Sequence, residues 1–271
     1  MYTVSFTFVR PKSLTEAEAA FRASAEARYI SGGQTLIPTM KLRLAAPSEL
    51  IDLSSIPALD SIRREGELLI IGAGARHADV ASSKIVCETI PALAALAGGI
   101  GDPAVRHRGT LGGSIANNDP AADYPAALAA LGASVTTTRR TLSVEEFFTG
   151  MFVTALEDGE IVTEIAFPVP QRAAYAKFPQ PASRFAMVGV FVASFKDGVR
   201  VAVTGAGPGV FRIAEMEKAL TRQFAPEAIK GIRIPATGLT GDLHGSPEYR
   251  AHLVTVMAGR AVAEAIGGRD V

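Results

Sequence analysis

Two glycine-rich stretches carry the residues whose types and spacing suit chemistry. The longer runs from Gly101 to Asp123, GDPAVRHRGTLGGSIANNDPAAD. So long an irregular segment is uncommon in a compact domain unless it binds something. Gly109, Gly112 and Gly113 place Thr110 and Ser114 on a backbone that can approach a ligand with no Cβ in the way. Bare N–H groups in such a turn suit phosphate oxygens. The shorter stretch, Tyr29 to Leu44, reads YISGGQTLIPTMKLRL. A strand at Arg28 to Ser31 runs into Gly32-Gly33-Gln34-Thr35. Leu36, Met40, Leu42 and Leu44 predict a helix beyond, with Pro38 in its first turn. This order sets N–H groups and the positive end of a helix dipole beside the turn, where an anion is stabilised. An ordinary glycine turn is the alternative reading of this stretch taken alone.

Other constellations weaken on inspection. Gly32-Gly33 lacks the third glycine of a Rossmann fingerprint, and Gly72-Ala73-Gly74 continues as Ala75-Arg76-His77 instead of completing one. Gly112-Gly113-Ser114-Ile115-Ala116 ends in alanine where a hydrolase nucleophile elbow has glycine. His77, His107, His244 and His252 are scattered, and the last two are too far apart for an i, i+4 metal pair, so all four read as loop or surface residues. Arg106 and Arg108 suit phosphates, a partner surface or plain solvation equally. Cys87 has no Cys-x-x-Cys neighbour and reads as a small buried or half-buried hydrophobe.

The elements that must position the two glycine stretches follow from patterning. A short strand at Val4 to Val9 ends at Pro11, and Ser13-Leu14-Thr15-Glu16 has capping-box spacing ahead of a helix with Leu14, Ala17, Phe21 and Ala25 on one face. Strands are predicted at Ile51 to Leu53 and, as a pair around Arg64-Glu65-Gly66, at Leu59 to Ile62 and Leu68 to Ile71. Gly72 to His77 is a loop, with Asp79 opening a short helix. An alanine- and leucine-rich helix at Ile90 to Ala97 delivers the chain to the long glycine stretch. Beyond it come a helix at Tyr124 to Leu131, a strand at Ser134 to Thr138, and a second capping box at Ser143 to Glu146. Glu160 to Phe167 alternates, with Ile161, Thr163, Ile165 and Phe167 on one face. Pro168 and Pro170 close that strand, and a domain boundary is expected near residue 170. The remainder predicts strands at Met187 to Phe195 and Val199 to Thr204 around a Lys196-Asp197-Gly198 turn, and helices near Ala214 to Arg222 and from Pro247 to Ile266. Ser246, Pro247 and Glu248 mark the start of the last helix, and Gly267-Gly268 its end.

Composition bounds the function. At 271 residues the chain is long enough for a sizeable core and two modest domains. The 27 basic and 27 acidic residues cancel, which argues against nucleic acid or an anionic membrane as the main partner. Cys87 is the only cysteine, so the chain alone builds neither a four-thiolate metal site nor an intrachain disulfide. The N-terminus lacks a basic start followed by an apolar core and cleavage site, and no apolar run approaches the roughly 18 residues of a membrane span. A soluble cytoplasmic protein is expected.

The order Gly-Asp-Pro-x-Val-Arg-x-Arg-Gly-Thr-x-Gly-Gly-Ser-x-Ala-Asn-x-Asp-Pro-x-x-Asp over residues 101–123 resembles the second flavin loop of the FAD-binding (medium) subunits of molybdenum hydroxylases, the family of carbon monoxide dehydrogenase and xanthine dehydrogenase. Residues 29–44 resemble that family's first FAD loop. Tyr175-Ala176-Lys177-Phe178 and Pro181-Ala182-Ser183-Arg184-Phe185 resemble its flavin-facing edge and the start of its C-terminal domain. The three matches occur in order across most of the chain.

The resemblance implies an α+β fold: a two-part FAD-binding domain over 1–170, with subdomains of about 1–55 and 56–170, and a small C-terminal domain of antiparallel strands and helices over 171–271. It implies FAD as cofactor. Ile30, Ser31, Gly32, Gly33, Gln34, Thr35 and Leu36 would line the pyrophosphate and ribityl region, with the N–H groups of Gly32 to Thr35 on the phosphates. Gly109, Thr110, Gly113 and Ser114 would form the opposing cradle, and Asn117, Asp119 and Asp123 would bond sugar and ribityl hydroxyls. Val162 and Lys177 match positions near the isoalloxazine, and Tyr175 would stack there or close its edge. The family role is that of an electron-transfer subunit, with the molybdenum cofactor on a large molybdopterin-binding subunit and two 2Fe-2S clusters on a small subunit, assembled as a dimer of heterotrimers. The readings set against it are a stand-alone flavin oxidoreductase and a non-enzymatic nucleotide-binding assembly subunit.

Overall fold

A computed structural model describes residues 2–267 of the chain. The chain opens with β1 (Thr7–Val9), α1 (Leu14–Ala23), β2 (Ala27–Ile30), α2 (Leu36–Lys41) and β3 (Glu49–Asp52). The strands form a parallel sheet in the order β1-β3-β2. Ser13 caps α1 as its spacing predicts, its hydroxyl accepting from the Glu16 N–H at 3.2 Å while Glu16 accepts from the Lys12 N–H. Ala17, Ala27 and Ile51 build a small core beneath this sheet. The helix expected to reach Leu44 stops at Lys41, because the chain turns through Arg43 with φ at 60°.

The second part contains β4 (Ile62–Glu65), β5 (Leu68–Gly72), α3 (His77–Ser82), α4 (Lys84–Thr89), α5 (Pro91–Gly98), α6 (Pro103–Arg106), α7 (Leu111–Asn117), α8 (Tyr124–Leu131), β6 (Ser134–Thr137), β7 (Thr141–Ser143), α9 (Val144–Phe147), β8 (Phe148–Gly150), β9 (Val153–Thr154) and β10 (Val162–Pro168). Its main sheet has the order β4-β5-β10-β6-β7. The hairpin strand expected at 59–62 lies three residues later. Pro57 starts a single 3-10 turn over Pro57–Leu59, and pairing begins only where Ile62 faces Ile71. Residues 101–123, read as irregular, hold α6 and α7. Asp102 accepts from the Val105 N–H at 2.8 Å with Pro103 at the first helical position, and Thr110 accepts from the Gly113 N–H at 3.2 Å. Capping and tertiary pairing override the low helix propensity of a glycine-rich run.

The alternation expected over 160–167 is interrupted. A bulge between Val162 and Glu164 in the pairing with β6 shifts the phase, so Ile161 packs into the first core while Val162, Ile165 and Phe167 join the second. Next to the bulge, the buried Glu160 carboxylate accepts from the Thr137 hydroxyl at 2.6 Å, from Arg140 at 3.0 and 3.1 Å and from the Glu157 N–H at 2.8 Å. Burial pushes this carboxyl up, but the hydrogen bonds outweigh it and bring it down to about 2. A lowered carboxyl stabilises the fold above its unfolded value of 4.5, and that stabilisation is lost as pH falls through about 2. Glu160→Gln is therefore expected to lower Tm at pH 7 and to flatten the dependence of Tm on pH between 4.5 and 2, read by circular dichroism melts.

The chain ends with β11 (Arg172–Pro179), β12 (Ala186–Phe195), β13 (Gly198–Thr204), β14 (Phe211–Arg212), α10 (Ala214–Arg222) and α11 (Pro247–Gly267). These strands form an antiparallel sheet in that order. β11 has no counterpart among the sequence expectations, since its mixed RAAYAKFP composition lacks a β-branched run. Period-two alternation buries β12 on both faces: Val188, Val190 and Val192 meet Val254, Met257 and Ala258 of α11, whereas Phe191 and Ala193 join the core that contains α5 and α8. Ser246 caps α11 as expected, accepting from the Tyr249 N–H at 3.2 Å. Gly267 is the last helical residue instead of a stop, and Gly268 lies outside the described residues. Among the described residues no helix is long and apolar enough to cross a membrane.

Candidate functional site

A cavity of about 740 Å³ opens between β2 with its following turn and the second part of the chain, with Ser183 to Phe185, between β11 and β12, on its edge. The predicted run Ile30 to Leu36 lies along one wall, and Gly109, Thr110, Gly113 and Ser114 lie along the facing one. The two glycine turns are pressed together. A Cβ at Gly32 would sit 2.5 Å from the Arg108 carbonyl oxygen and 2.6 Å from the Gly109 Cα, and the Ser31 and Thr110 hydroxyls share a hydrogen bond of 3.0 Å. Gly33 takes φ at 72°, which turns the chain from β2 towards α2.

The two walls differ in chemistry. No hydrogen bond among the described residues uses the N–H groups of Gly32, Gly33, Gln34 or Thr35. Those of the second turn are occupied except at Thr110: Gly109 donates to the Val105 carbonyl at 2.7 Å, Leu111 to Ala75 at 2.9 Å, Gly112 to Ala73 at 2.8 Å, Ser114 to Thr110 at 3.0 Å, and Gly113 to the Thr110 hydroxyl, while no hydrogen bond among the described residues uses the Thr110 N–H. The first turn is thus the donor wall. The second presents hydroxyls, bare glycine and the single N–H of Thr110, a division that glycine content alone did not reveal.

Asn117, Asp119, Asp123 and Val162 also line the cavity. One Asp119 oxygen closes a local turn by accepting from the Ala121 N–H at 2.9 Å. Asp123 is buried, and its Oδ1 takes both the Tyr175 hydroxyl at 2.5 Å and the Lys177 ammonium at 2.9 Å. Burial pushes the Asp123 carboxyl up, against the pull of Lys177 and of the Tyr175 hydrogen bond. The Tyr175 hydroxyl is pushed up by burial and by the neighbouring Asp123 charge.

Lys177, expected near the isoalloxazine, and Tyr175, expected to stack there or close its edge, are not among the residues lining the cavity. The pleat of β11 turns the Tyr175 ring inward against Phe191, centroids 6.1 Å apart, and Lys177 is drawn off by the buried carboxylate. Lys177 also donates to the Gly99 carbonyl at the end of α5 and to the Arg184 carbonyl, at 2.8 and 3.1 Å. Both residues therefore sit one layer behind Asp123.

Cavity-lining residues outside the predicted set include His77, buried behind Gly109, and Arg184, which takes φ at 62°. The signal for His77 is its register: Arg76 bridges Thr110, and pairing between distant loops is not a sequence pattern. Arg106, a candidate phosphate ligand, donates from Nη1 of its guanidinium to the Ile100 and Gly101 carbonyls at 3.0 Å. Cys87, expected to be at least half-buried, is exposed on α4, because Val86 takes the core-facing position beside it.

Comparison with known proteins places this chain in a family. A family model described as the FAD binding domain in molybdopterin dehydrogenase matches residues 4–170. The chain is 36% identical over 278 residues to the carbon monoxide dehydrogenase medium chain of Hydrogenophaga pseudoflava, covering 96% of each sequence. It is 32% identical over 272 residues to the nicotine 6-hydroxylase medium subunit of Paenarthrobacter nicotinovorans, covering 95% of this chain and 96% of that one. A chain in the solved structure of carbon monoxide dehydrogenase from Hydrogenophaga pseudoflava superposes with a TM-score of 0.89 at 35% identity, over 98% of this chain and 99% of that one. The bare contact of Gly32 with Gly109 and the unspent N–H groups beside it fit a diphosphate held between two loops. The chain belongs to the family of FAD-binding medium subunits of molybdenum hydroxylases, oxidoreductase subunits that carry FAD.

Proposed function

We propose that this chain is the FAD-carrying electron-transfer subunit of a heteromeric molybdenum hydroxylase, and the observation that carries the site assignment is the pair of glycine turns in backbone contact. When bound, FAD would supply reversible two-electron chemistry between iron–sulfur clusters on a partner and an external acceptor. The chain's own residues bind and orient it. The N–H groups of Gly32 to Thr35 hold the diphosphate, with the hydroxyls of Ser31, Thr110 and Ser114 opposite. Asn117, Asp119 and Asp123 pair with sugar and ribityl hydroxyls, and Val162 gives the ring an apolar contact. Lys177 and Tyr175 act through Asp123, holding its Oδ1 so that the carboxylate keeps one orientation at the wall.

The division of labour is read as 1–170 for the cofactor cradle and 171–271 for the sheet that closes the cavity through Ser183 to Phe185. The single cysteine supports placing the iron–sulfur clusters on a small partner subunit and the molybdenum cofactor on a large one. A dimer of heterotrimers in the cytoplasm is the assembly we infer. The test is the visible spectrum of the purified chain, followed by acid release and chromatography. Flavin bands with about one FAD per chain are expected. A colourless chain that takes up no added FAD would overturn the assignment.

A further inference from the structure

A buried imidazole with no hydrogen bond forms part of the cavity wall. His77 opens α3, and its backbone N–H donates to the Gly109 carbonyl at 2.9 Å, which fastens the residue behind the second glycine turn. The side chain is on a residue only 5% exposed, yet it reaches the cavity. Its Nδ1 is buried without a partner, and no hydrogen bond among the described residues reaches Nε2. The Nε2 edge lies against the bare Cα of Gly109, where a Cβ would come within 2.5 Å of Nε2 and 2.8 Å of Cδ2. The same Gly109 is the residue that touches Gly32, next to the unspent N–H groups.

A buried polar group left without a partner is costly, and native folds retain few of them unless a ligand or a functional demand accounts for them. The surroundings offer His77 no ion partner. Burial, and then the Arg106 guanidinium, bring the imidazole down to about 4, so it is neutral at physiological pH. α5, packed across α3, carries no ionisable side chain over Pro91–Gly98. On α4, Lys84 faces Glu88 at 3.8 Å, and Asp79 on α3 accepts from the Arg76 backbone N–H at 3.3 Å. Tyr124 of α8 is a ring neighbour, centroids 5.4 Å apart, whose buried hydroxyl also lacks a partner. A neutral imidazole is one N–H donor and one acceptor; Nδ1 is sealed, so Nε2, the nitrogen beside Gly109, is the donor that faces the cavity.

The geometry points to His77 as a third element of the cofactor cradle, donating a hydrogen bond from its neutral imidazole to the diphosphate held between the two glycine turns. This rests on the reading of the cavity as an FAD site. It adds a binding residue that lies in neither glycine loop, and it gives Gly109 a second reason to be glycine: a side chain there would displace the ring.

The experiment is a titration of the full-length, deflavinated chain with FAD by flavin fluorescence, and with ADP by competition, since ADP carries the diphosphate without the flavin. His77→Leu is expected to weaken both ligands by roughly tenfold or more, the span of a hydrogen bond to a charged group. His77→Gln, which restores an N–H donor, should recover most of that loss, and Tyr124→Phe should bind within about threefold of wild type. Circular dichroism checks that each variant folds. Equal affinities in wild type and His77→Leu, a loss seen for FAD but not for ADP, or a folded His77→Gln as weak as His77→Leu would each overturn the assignment. A wild-type chain that takes up no FAD would instead remove the cofactor reading itself, and this assignment with it.

Discussion

Gly32→Val is expected to give a folded chain without FAD. The new Cβ would lie 2.5 Å from the Arg108 carbonyl oxygen and 2.6 Å from the Gly109 Cα, and both obstacles are backbone. No rotamer change relieves such a contact, so the two turns must separate. Separation breaks the 3.0 Å bond between the Ser31 and Thr110 hydroxyls and spoils the alignment of the Gly32 to Thr35 N–H groups. The cores built on Ile51, Leu128 and Val190 lie away from this contact and should hold the fold together. A loss of FAD affinity on the order of a hundredfold or more is expected, read as flavin per chain after desalting, with circular dichroism as the fold check. Gly113→Val is the milder comparison, because its Cβ meets only the Thr110 hydroxyl, at 2.8 Å, which can rotate at the expense of its cap. Wild-type flavin content in Gly32→Val would mean that the contact between the turns does not hold the cofactor.

Lys177→Met should have the second large effect, on stability as well as on the flavin. The ammonium is the only cation within ion-pair distance of the buried Asp123 among the described residues, and both side chains are nearly sealed, at 11% and 4% exposure. Removing one member of a buried pair leaves an uncompensated charge and costs about 3–5 kcal/mol, or roughly a 10 °C fall in Tm for a chain of this size. Burial already pushes the Asp123 carboxyl up, and loss of Lys177 pushes it further. A carboxyl raised in the folded state opposes folding increasingly as pH rises from its unfolded value to its folded value, and ceases to do so once pH falls below its unfolded value. The Tm deficit of Lys177→Met should therefore be largest near neutral pH and shrink on acidification, and Asp123→Asn in the same chain should recover part of it. Because Asp123 also lines the cavity, the flavin reduction potential of the variant should differ from wild type. An unchanged Tm at pH 7 would show that Lys177 does not hold the carboxylate in solution.

The cavity-lining residues that were legible in the sequence are those whose chemistry is local. Glycine runs at 32–33 and 109–113 announce close backbone approach, Ser13, Ser143 and Ser246 announce helix starts, and the Lys196-Asp197 turn announces the hairpin between β12 and β13. Each depends on residues a few positions apart. The ordered motifs at 29–44, 101–123 and 175–185 likewise made the family legible without any coordinates.

What only the tertiary structure decided are the pairings across the chain. That Gly32 touches Gly109, that the second turn spends most of its N–H groups, several of them on Ala73, Ala75 and Val105, while the first keeps its own free, and that His77 lies behind Gly109 all depend on contacts between separate segments. The motif puts Lys177 near the ring and Tyr175 beside or at its edge, and only the tertiary structure shows that both side chains converge on Asp123, a buried carboxylate 52 positions from Tyr175 in sequence. The bulge at Val162 shifted a regular alternation for the same reason, since strand phase answers to the partner strand. Local sequence determined where the backbone is bare and where helices begin. Desolvation and hydrogen-bond satisfaction across distant segments decided which of those bare groups remain available to a ligand.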